Sequence, residues 1–178
     1  MKDNPADQKE WQVIITRSRA EKKVYAKLKE QSIECFLPLQ KRLRQWKDRK
    51  KWVEMPIISG YCFVNIGQKE YEKVLRTDHV AGFVRFEGKP ARISSNQIEY
   101  LKKMLSQSDF EVEVTLENFE PGKKVEITEG PLIGIQGELQ SFRGKDRFIL
   151  RIRQMNAVCA VEISADKITA IPNTNETI

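Results

Sequence analysis

The sequence predicts an α+β protein of two domains: an antiparallel sheet with helices, followed by a domain of short strands. Three observations support this fold class. In residues 11–106, strand-like apolar segments alternate with three segments of helical periodicity. From residue 121, five short strand patterns are separated by glycine-containing turns. Between them, residues 107–120 are acidic and change the composition abruptly, as expected of a linker.

The chain begins with a polar segment, residues 1–10, that we expect to be disordered. Residues 11–16 then alternate as a strand, and a helix is predicted from Ser18 to about Gln31. Ser18 and Glu21 have the spacing of a capping box. The inner stripe of this helix repeats at i, i+4 and i+8: Ala20, Val24 and Leu28.

A second stripe at the same helical spacing is basic. Its members are Arg17, just before the helix, and Arg19, Lys23 and Lys27. Such a stripe is typical of a solvated helix face, and that explanation stands. The cations also lie at the helix N-terminus, where the dipole disfavours them and an anion would be welcome. A phosphate backbone is therefore the alternative explanation.

Strand patterns at residues 33–39 and 56–66 flank a strongly basic segment, which predicts a long hairpin with an exposed tip. Residues 41–51 contain seven Lys or Arg against the single acid Asp48, and Trp46 and Trp52 are interleaved. Edge protection would explain this pattern, and so would nucleic-acid binding through charge and base stacking. The candidate contacts are Arg44, Lys47, Arg49 and Lys50.

The strand at residues 56–66 is the element around which the first domain is organised. Alternation places Tyr61, Phe63 and Asn65 on one face. The other face carries Cys62, Val64 and Ile66. Both faces are largely apolar, so either the strand is covered on both sides or Tyr61 and Phe63 form an exposed patch for a partner.

Three further elements complete the first domain. The first is a short helix at 68–76, whose inward residues are Tyr71, Val74 and Leu75. The second is a strand at 80–86 with a turn at 87–90. The third is a helix at 94–106 with a capping box of Ser94 and Gln97 and with Ile98, Leu101 and Leu105 inward. One antiparallel sheet with helices on one face, of ferredoxin-like type, satisfies this order most simply. The other face would then be partly open, which favours the exposed patch.

The second domain, residues 121–171, is predicted to be a small β-barrel, since it contains five short strands in about 50 residues. The strand patterns are at residues 124–127, 137–142, 147–152, 157–163 and 168–171. Residues 172–178 form a polar tail.

Composition and motif spacing limit the function classes. A net charge of +6 suggests an anionic partner, although solubility would also explain it. Cys35, Cys62 and Cys159 have no metal-ligand spacing and are expected to be buried thiols of a reducing compartment. We expect no cofactor and no metal. With no signal-peptide pattern and no membrane-spanning run, a cytoplasmic protein without a membrane partner is predicted.

Catalysis is not indicated. The single histidine, His79, lies beside a strand start, and no nucleophile, acid or base has a partner at a recognised spacing. The glycines form no phosphate-binding loop. Binding rather than an enzymatic reaction is the expectation.

Three segments in order resemble the N-terminal (NGN) domain of NusG-type transcription elongation factors. They are residues 11–14 (WQVI), 59–64 (SGYCFV) and 80–86 (VAGFVRF). Residues 121–132 with 137–138 resemble a KOW domain, which is an SH3-like barrel, and residues 161–163 fit its later strand. The resemblance covers roughly residues 11–171. The tract 34–66, with its basic hairpin, is more similar to the specialised RfaH-like and UpxY-type antiterminators.

The resemblance implies a factor that binds RNA polymerase and suppresses pausing or termination, acting at specific operons. In the family, an apolar concavity binds the clamp helices of the polymerase β′ subunit; the matching positions are Tyr61, Phe63 and Phe83. In the specialised paralogs, basic residues near the first helix contact non-template DNA; the matching positions are Arg17, Lys23 and Lys27, with Thr77 in the loop before Val80. The paralogs' His-Thr-Thr motif is absent, since residues 70–72 are Glu-Tyr-Glu.

In the KOW domain, a Phe-Gly-Arg turn that contacts the termination factor Rho or the ribosome is replaced by residues 155–157, Met-Asn-Ala. Loss of the aromatic anchor argues against Rho. It leaves Met155 as a candidate partner contact and the ribosome as a candidate partner, and we expect a monomer. Two other classes stay open: an RNA-binding or ribosome-associated module, and an enzyme acting on nucleic acid, for which the acid, base and metal constellations are missing.

Overall fold

A computed structural model gives the fold. It describes residues 8–46, 48–107, 111–115, 122–142 and 145–171. The chain divides into two compact units, Met1–Ile98 and Glu99–Ile178. The domain limits drawn from the sequence, 11–106 and 121–171, stay a prediction. The first seven residues and the tail 172–178 lie outside the described residues.

The first unit combines helices with antiparallel sheets, as the predicted α+β class requires. Its elements are β1 (Glu10–Thr16), α1 (Glu21–Glu30), β2 (Glu34–Phe36), β3 (Leu39–Gln45), β4 (Lys50–Pro56), β5 (Tyr61–Ile66), α2 (Gln68–Leu75), β6 (Val80–Phe83), β7 (Arg85–Phe86), β8 (Lys89–Pro90) and β9 (Arg92–Ile93). A third helix, α3 (Ser95–Ser106), begins in this unit. The central sheet has the order β2-β5-β1-β6, with β9 paired to β1, and its pairings are antiparallel.

One face of the central sheet packs against α1 and α2, as the helical stripes predict. Apolar residues of β1, β2, β5 and β6 form a single core with both helices: Ile14, Val24, Leu28, Ile33, Cys35, Leu37, Cys62, Val64, Ile66, Val74 and Phe83. The predicted inner positions Val24 and Leu28 are fully buried. Burial of these side chains supplies the main stabilisation of the first unit.

The opposite face of the sheet is also buried at its centre. Val13 and Phe63 are cross-strand partners, and both are 0% exposed. The Phe36 ring stacks on the Phe63 ring with 6.0 Å between centroids. The expectation of an open face is therefore wrong at its centre, and β5 is the doubly covered central strand.

The capping box predicted at the start of α1 is wrong. The helix begins at Glu21 with Ala20 as N-cap, which offers no capping side chain. Arg19 adopts a left-handed conformation (φ 58°), so the chain turns between Ser18 and the helix. The buried Glu21 carboxylate instead accepts a hydrogen bond from the Gly60 amide at 2.8 Å. Glu21 thus ties α1 to the entrance of β5.

The second capping box, at α3, is confirmed. The backbone N–H of Gln97 donates to Ser94 Oγ at 3.2 Å, and the backbone N–H of Ser94 donates to Gln97 Oε1 at 3.3 Å. The inward stripe was misjudged near its end, since Met104 is fully buried and Leu105 only half-buried. Leu75, predicted inward on α2, is 38% exposed.

None of the helices in the described ranges is long and apolar enough to span a membrane.

The predicted basic hairpin is confirmed as an isolated two-stranded sheet of β3 and β4, here called the ribbon. Its register runs from Leu39 opposite Pro56 to Gln45 opposite Lys50. Residues 41–46 and 48–52 are all exposed. The ribbon therefore contributes surface rather than core.

The second unit contains one antiparallel sheet of six strands. They are β10 (Glu113–Thr115), β11 (Lys123–Ile127), β12 (Gln136–Phe142), β13 (Lys145–Ile152), β14 (Ala157–Glu162) and β15 (Ile168–Ala170). Their order is β10-β14-β13-β12-β11-β15. No pairing among the described strands joins the edges β10 and β15, so an SH3-like barrel stays a prediction. Strand β10 was not predicted, and it lies inside the predicted linker 107–120.

Two features of β12 explain how this sheet packs. A Cβ on Gly137 would lie 2.4 Å from Phe148 Cζ, so only glycine allows this close approach. Glu138 accepts two hydrogen bonds from Arg151, both 2.9 Å, and a third from the Gly122 amide at 2.9 Å. Burial raises the pKa of Glu138, but these donors outweigh it, and the pKa lies below its usual range.

The three cysteines are free thiols buried in the two units. Burial raises the pKa of Cys35 to about 11 and that of Cys159 to about 12. The pKa of Cys62 is also raised by burial. All three are therefore protonated thiols at neutral pH.

Candidate functional site

Four of the predicted site residues lie at or just after the C-terminal end of β1 or opposite it: Tyr61, Arg17, Arg19 and Lys23. There the Thr16 amide donates to the Gly60 carbonyl at 2.8 Å, just before β5. The Arg17 amide donates to the His79 carbonyl at 2.8 Å, just before β6. These bonds hold the ends of three strands and the turn into α1 together, and we call this region the β1 end.

An apolar pair lies at the β1 end. Ile15 is opposite Tyr61 in the sheet, and its neighbour Ile14 belongs to the helix-side core, so Ile15 faces away from α1. Ile15 is 37% exposed and Tyr61 is half-buried. On its other side Ile15 is opposite Gly82, which has no side chain to cover it. The apolar pair is thus accessible beside a gap in the side-chain layer.

Three cations lie in the turn and first helical residues that follow. Arg17, Arg19 and Lys23 are exposed, and none has a side-chain partner among the residues that the structure describes. Lys27, the fourth member of the stripe, is half-buried and forms an ion pair with Asp78. The hydrogen bond from Lys27 holds the pKa of Asp78 below its usual range. Lys27 is therefore neutralised within the fold, while the other three stay free for an anion.

Thr77, predicted to contact nucleic acid, is buried. Its hydroxyl lies 3.1 Å from the Lys73 carbonyl and 3.3 Å from Gln31 Oε1, and so is used inside the fold. The loop before β6 begins with this threonine, and its hydrogen bonds anchor that loop to α2 and to the C-terminus of α1. The structure does not bring Thr77 to the surface where the cations lie.

The three predicted apolar contacts do not form one patch. Phe83 belongs to the helix-side core, where its ring stacks on Tyr71 with centroids 4.3 Å apart. Phe63 is on the opposite face and fully buried. Only Tyr61 is partly exposed. Ile15, which is opposite Tyr61, was not predicted as a site residue. Strand alternation places Ile15 on the same face of the sheet as Val13 and could have indicated it.

The remaining candidates lie elsewhere. In the ribbon, Arg44, Arg49 and Lys50 are exposed, and Lys47 falls outside the described residues. In the second unit, Met155 is half-buried and ends a short 3₁₀ turn, Arg153–Met155, followed by Asn156 in a left-handed conformation (φ 50°). Across the described ranges, no group of three or more His, Cys, Asp or Glu side chains is placed to hold a metal ion.

Comparison with protein families identifies the class. The model of the family described as transcription termination factor NusG matches residues 9–102, more than half of the chain. The chain therefore belongs to the NusG family. No curated protein matches the chain by sequence.

One solved structure shows a similar fold. The chain is similar to Thermotoga maritima NusG, from a structure of domain interaction in that protein, with a TM-score of 0.53 and 20% identity over 92% of this chain and 98% of that one. Two conformations of an MjSpt4:Spt5 complex also match, at 17% and 16% identity. They cover 90% and 92% of this chain and 97% of theirs, with TM-scores of 0.31 and 0.29.

Proposed function

We propose that this NusG-family protein is a transcription elongation and antitermination factor of the specialised RfaH-like or UpxY-type kind. It binds the β′ clamp helices of bacterial RNA polymerase and suppresses pausing or termination at specific operons. Family membership supports the class of partner. The observation that carries the proposal is that the accessible apolar pair lies directly beside three cations without partners.

The apolar pair supplies the contact to the polymerase. Ile15 and Tyr61 are partly exposed, whereas Val13 and Phe63 beside them are fully buried and hold the surface rigid. The absence of a side chain at Gly82 leaves room for an apolar side chain of a partner helix next to Ile15. Such a contact buries apolar area on both partners without a large rearrangement of this sheet.

The cations supply the contact to DNA. Arg17, Arg19 and Lys23 follow the apolar pair along the chain, so a complex that seats the pair also fixes where these charges lie. Non-template DNA in the transcription bubble carries closely spaced phosphates. Each phosphate contact releases counterions, which makes this part of the binding salt-dependent.

Bridging explains the effect on transcription. A protein that binds both the clamp and the displaced strand favours the closed polymerase over the open, paused state, provided that it binds the closed state more tightly. The chain needs no catalytic group for this. It acts through a difference in affinity between two states.

Within the second unit, residues 121–171 are proposed to be the KOW domain, with the SH3-like barrel of that class. The close packing at Gly137 and the Glu138–Arg151 pair support a fixed sheet. The turn that contains Met155 is the proposed contact with the ribosome. The protein is proposed to act as a monomer in the cytoplasm.

The test is co-migration of the full chain with bacterial core RNA polymerase on gel filtration. Ile15→Glu should abolish co-migration because it places a charge in the apolar contact. Leu75→Glu is the matched control, since Leu75 is 38% exposed and Ile15 37%, and Leu75 lies on α2. Circular dichroism confirms folding of both variants. Normal co-migration of folded Ile15→Glu would refute the assignment of this surface.

The DNA contact is tested separately on assembled transcription bubbles. Arg19→Gln with Lys23→Gln should weaken recruitment to the bubble without changing affinity for core polymerase. Lys103→Gln, an exposed lysine on α3, is the charge control. Equal recruitment of the double variant and the control would remove the β1 end from the DNA contact.

The charge of the ribbon favours a second candidate function, an RNA-binding or ribosome-associated module. This function requires salt-sensitive RNA binding in the absence of polymerase. A wild-type chain that binds RNA or ribosomes and fails to co-migrate with polymerase would establish it instead.

A further inference from the structure

We propose that the ribbon is a second, separate binding site, and that its ligand is an unpaired polynucleotide. Bases stack on the apolar face around Trp52, and cations along the ribbon hold the phosphates. The site does not depend on contact with the polymerase.

The first observation is where the charge lies. Residues 41–54 contain seven Lys or Arg and two acids, a net +5, whereas the whole chain carries +6. The rest of the chain is thus almost neutral. A charge needed only for solubility has no reason to be concentrated in one hairpin, whereas a polyanion ligand requires this concentration.

The second observation is the exposure of large apolar side chains on the same element. Trp46 is 60% exposed, Trp52 65% and Leu43 48%. The third tryptophan, Trp11, is only 6% exposed, so this chain buries a tryptophan where it needs one for packing. Three large apolar side chains on one solvated hairpin indicate a ligand that covers them.

The register places Leu43 and Trp52 together on one face of the ribbon. Residues directly opposite each other share a face, and Leu43 is opposite Trp52. Lys41 and Lys50 flank this pair on the same face, with Glu54 as its one acid. The other face carries a cluster without any acid: Arg42, Arg44 and Lys51. One face thus offers a stacking surface edged by lysines, and the other a phosphate-binding surface.

These features select single strands over duplexes. Stacking on an aromatic ring requires a base whose face is free, and a duplex hides its base faces. With seven residues per strand the ribbon is about 23 Å long, which is enough to follow several nucleotides. A second copy of the chain is disfavoured as the occupant because it would bring another +5 to the same place.

The test uses the full chain with three fluorescein-labelled probes of 15 nucleotides: oligo-dT, oligo-U and a mixed-sequence DNA duplex. Fluorescence anisotropy should show tighter binding of one or both single strands than of the duplex. The comparison of oligo-dT with oligo-U tells whether displaced DNA or RNA is the source. Intrinsic tryptophan fluorescence should be quenched on binding, since the exposed Trp52 carries the stacking contact.

Variants separate stacking from charge. Trp52→Ala should weaken single-strand binding about tenfold, and Trp52→Phe should restore most of it. Arg44→Gln with Lys51→Gln should make the slope of log affinity against log salt less negative by about 0.7 per cation removed. Lys103→Gln serves as the control and should leave both quantities unchanged.

Three results would overturn the proposal: equal affinity for duplex and single strand, no effect of Trp52→Ala, or concentration-dependent self-association in sedimentation that Trp52→Ala abolishes. Failure of this site is distinguishable from failure of the polymerase proposal. Trp52→Ala should still co-migrate with core polymerase, and Ile15→Glu should still bind oligonucleotides.

Discussion

Strands β5 and β4 show how one local pattern leads to two different roles. Both are short strands with an aromatic residue at their centre, yet Phe63 in β5 is 0% exposed and Trp52 in β4 is 65% exposed. β5 has strand neighbours on both sides, β1 and β2, whereas β4 has only β3. Cations before Trp52 also make burial of β4 costly. Uncharged neighbours direct an aromatic to the core, and charged neighbours keep it available for a ligand.

The largest expected effect is on the free energy of unfolding when the two aromatic residues, Phe63 and Trp52, are each replaced by alanine. Phe63→Ala should lower the free energy of unfolding by about 3–5 kcal/mol, because it leaves a cavity under Phe36. Trp52→Ala should change it by no more than about 0.5 kcal/mol, since Trp52 packs against no core. Urea unfolding followed by circular dichroism measures both. Similar losses in the two variants would mean that the ribbon contributes to the core.

A second prediction concerns how the doubly covered strand is held at its entrance. Glu21→Ala should destabilise the first unit by about 1.5–3 kcal/mol, because the Gly60 amide loses a charged acceptor. Glu30→Ala at the exposed end of the same helix is the control and should be close to neutral. Thermal unfolding of the two variants decides; equal melting temperatures would show that water replaces the Glu21 contact.

The third prediction concerns the pH dependence of the stability of the first unit, through Glu70 on α2. Partial burial raises the pKa of Glu70. Hydrogen bonds from the Gly67 amide and from Lys9 lower this pKa by more, so in the folded protein it lies below its usual range. Its contribution to stability is therefore complete above the unfolded pKa and is lost as the pH falls through the folded pKa. The stability difference between wild type and Glu70→Gln should shrink steadily from pH 6 towards about pH 3. A difference that does not change over this range would exclude the linkage.

The smallest effect is expected at the β1 end. Arg19 has a left-handed backbone that glycine adopts more easily, so Arg19→Gly should leave the stability unchanged or raise it by up to about 1 kcal/mol. The same change should weaken binding to a transcription bubble, since it removes an exposed cation. Chemical denaturation and anisotropy on the same sample check both parts. Lower stability with unchanged DNA binding would mean that Arg19 serves the fold.

Most elements of this fold could be predicted from periodicity, and most contacts between elements could not. Strand alternation placed Val64 and Phe63 on opposite faces, as observed, but it carries no information on what covers each face. The helix after β1 was expected from its stripe of apolar residues. The hydrogen bond that its first residue, Glu21, accepts comes from Gly60, which is far along the chain. A local capping pattern at Ser18 cannot reveal a distant acceptor or the turn at Arg19.

The same limits apply to the second unit and to the site. The β10 strand was missed because its glutamates suggested a linker, although Val112 and Val114 alternate with them and Val112 is fully buried. At the site, residue type predicted the cations, and the structure shows that Lys27 is paired with Asp78 and the others are not. Accessibility depends on the tertiary fold, so it could not be obtained from spacing alone.

The burial of every native thiol makes the protein directly suitable for site-specific labelling. Cys35, Cys62 and Cys159 are inaccessible and protonated, so they react slowly with maleimide dyes. A single cysteine introduced at Arg49, at the tip of the ribbon, would react in preference to all of them. A spectroscopic ruler could then report the distance from the ribbon to a labelled nucleic acid without removing any native residue of the core.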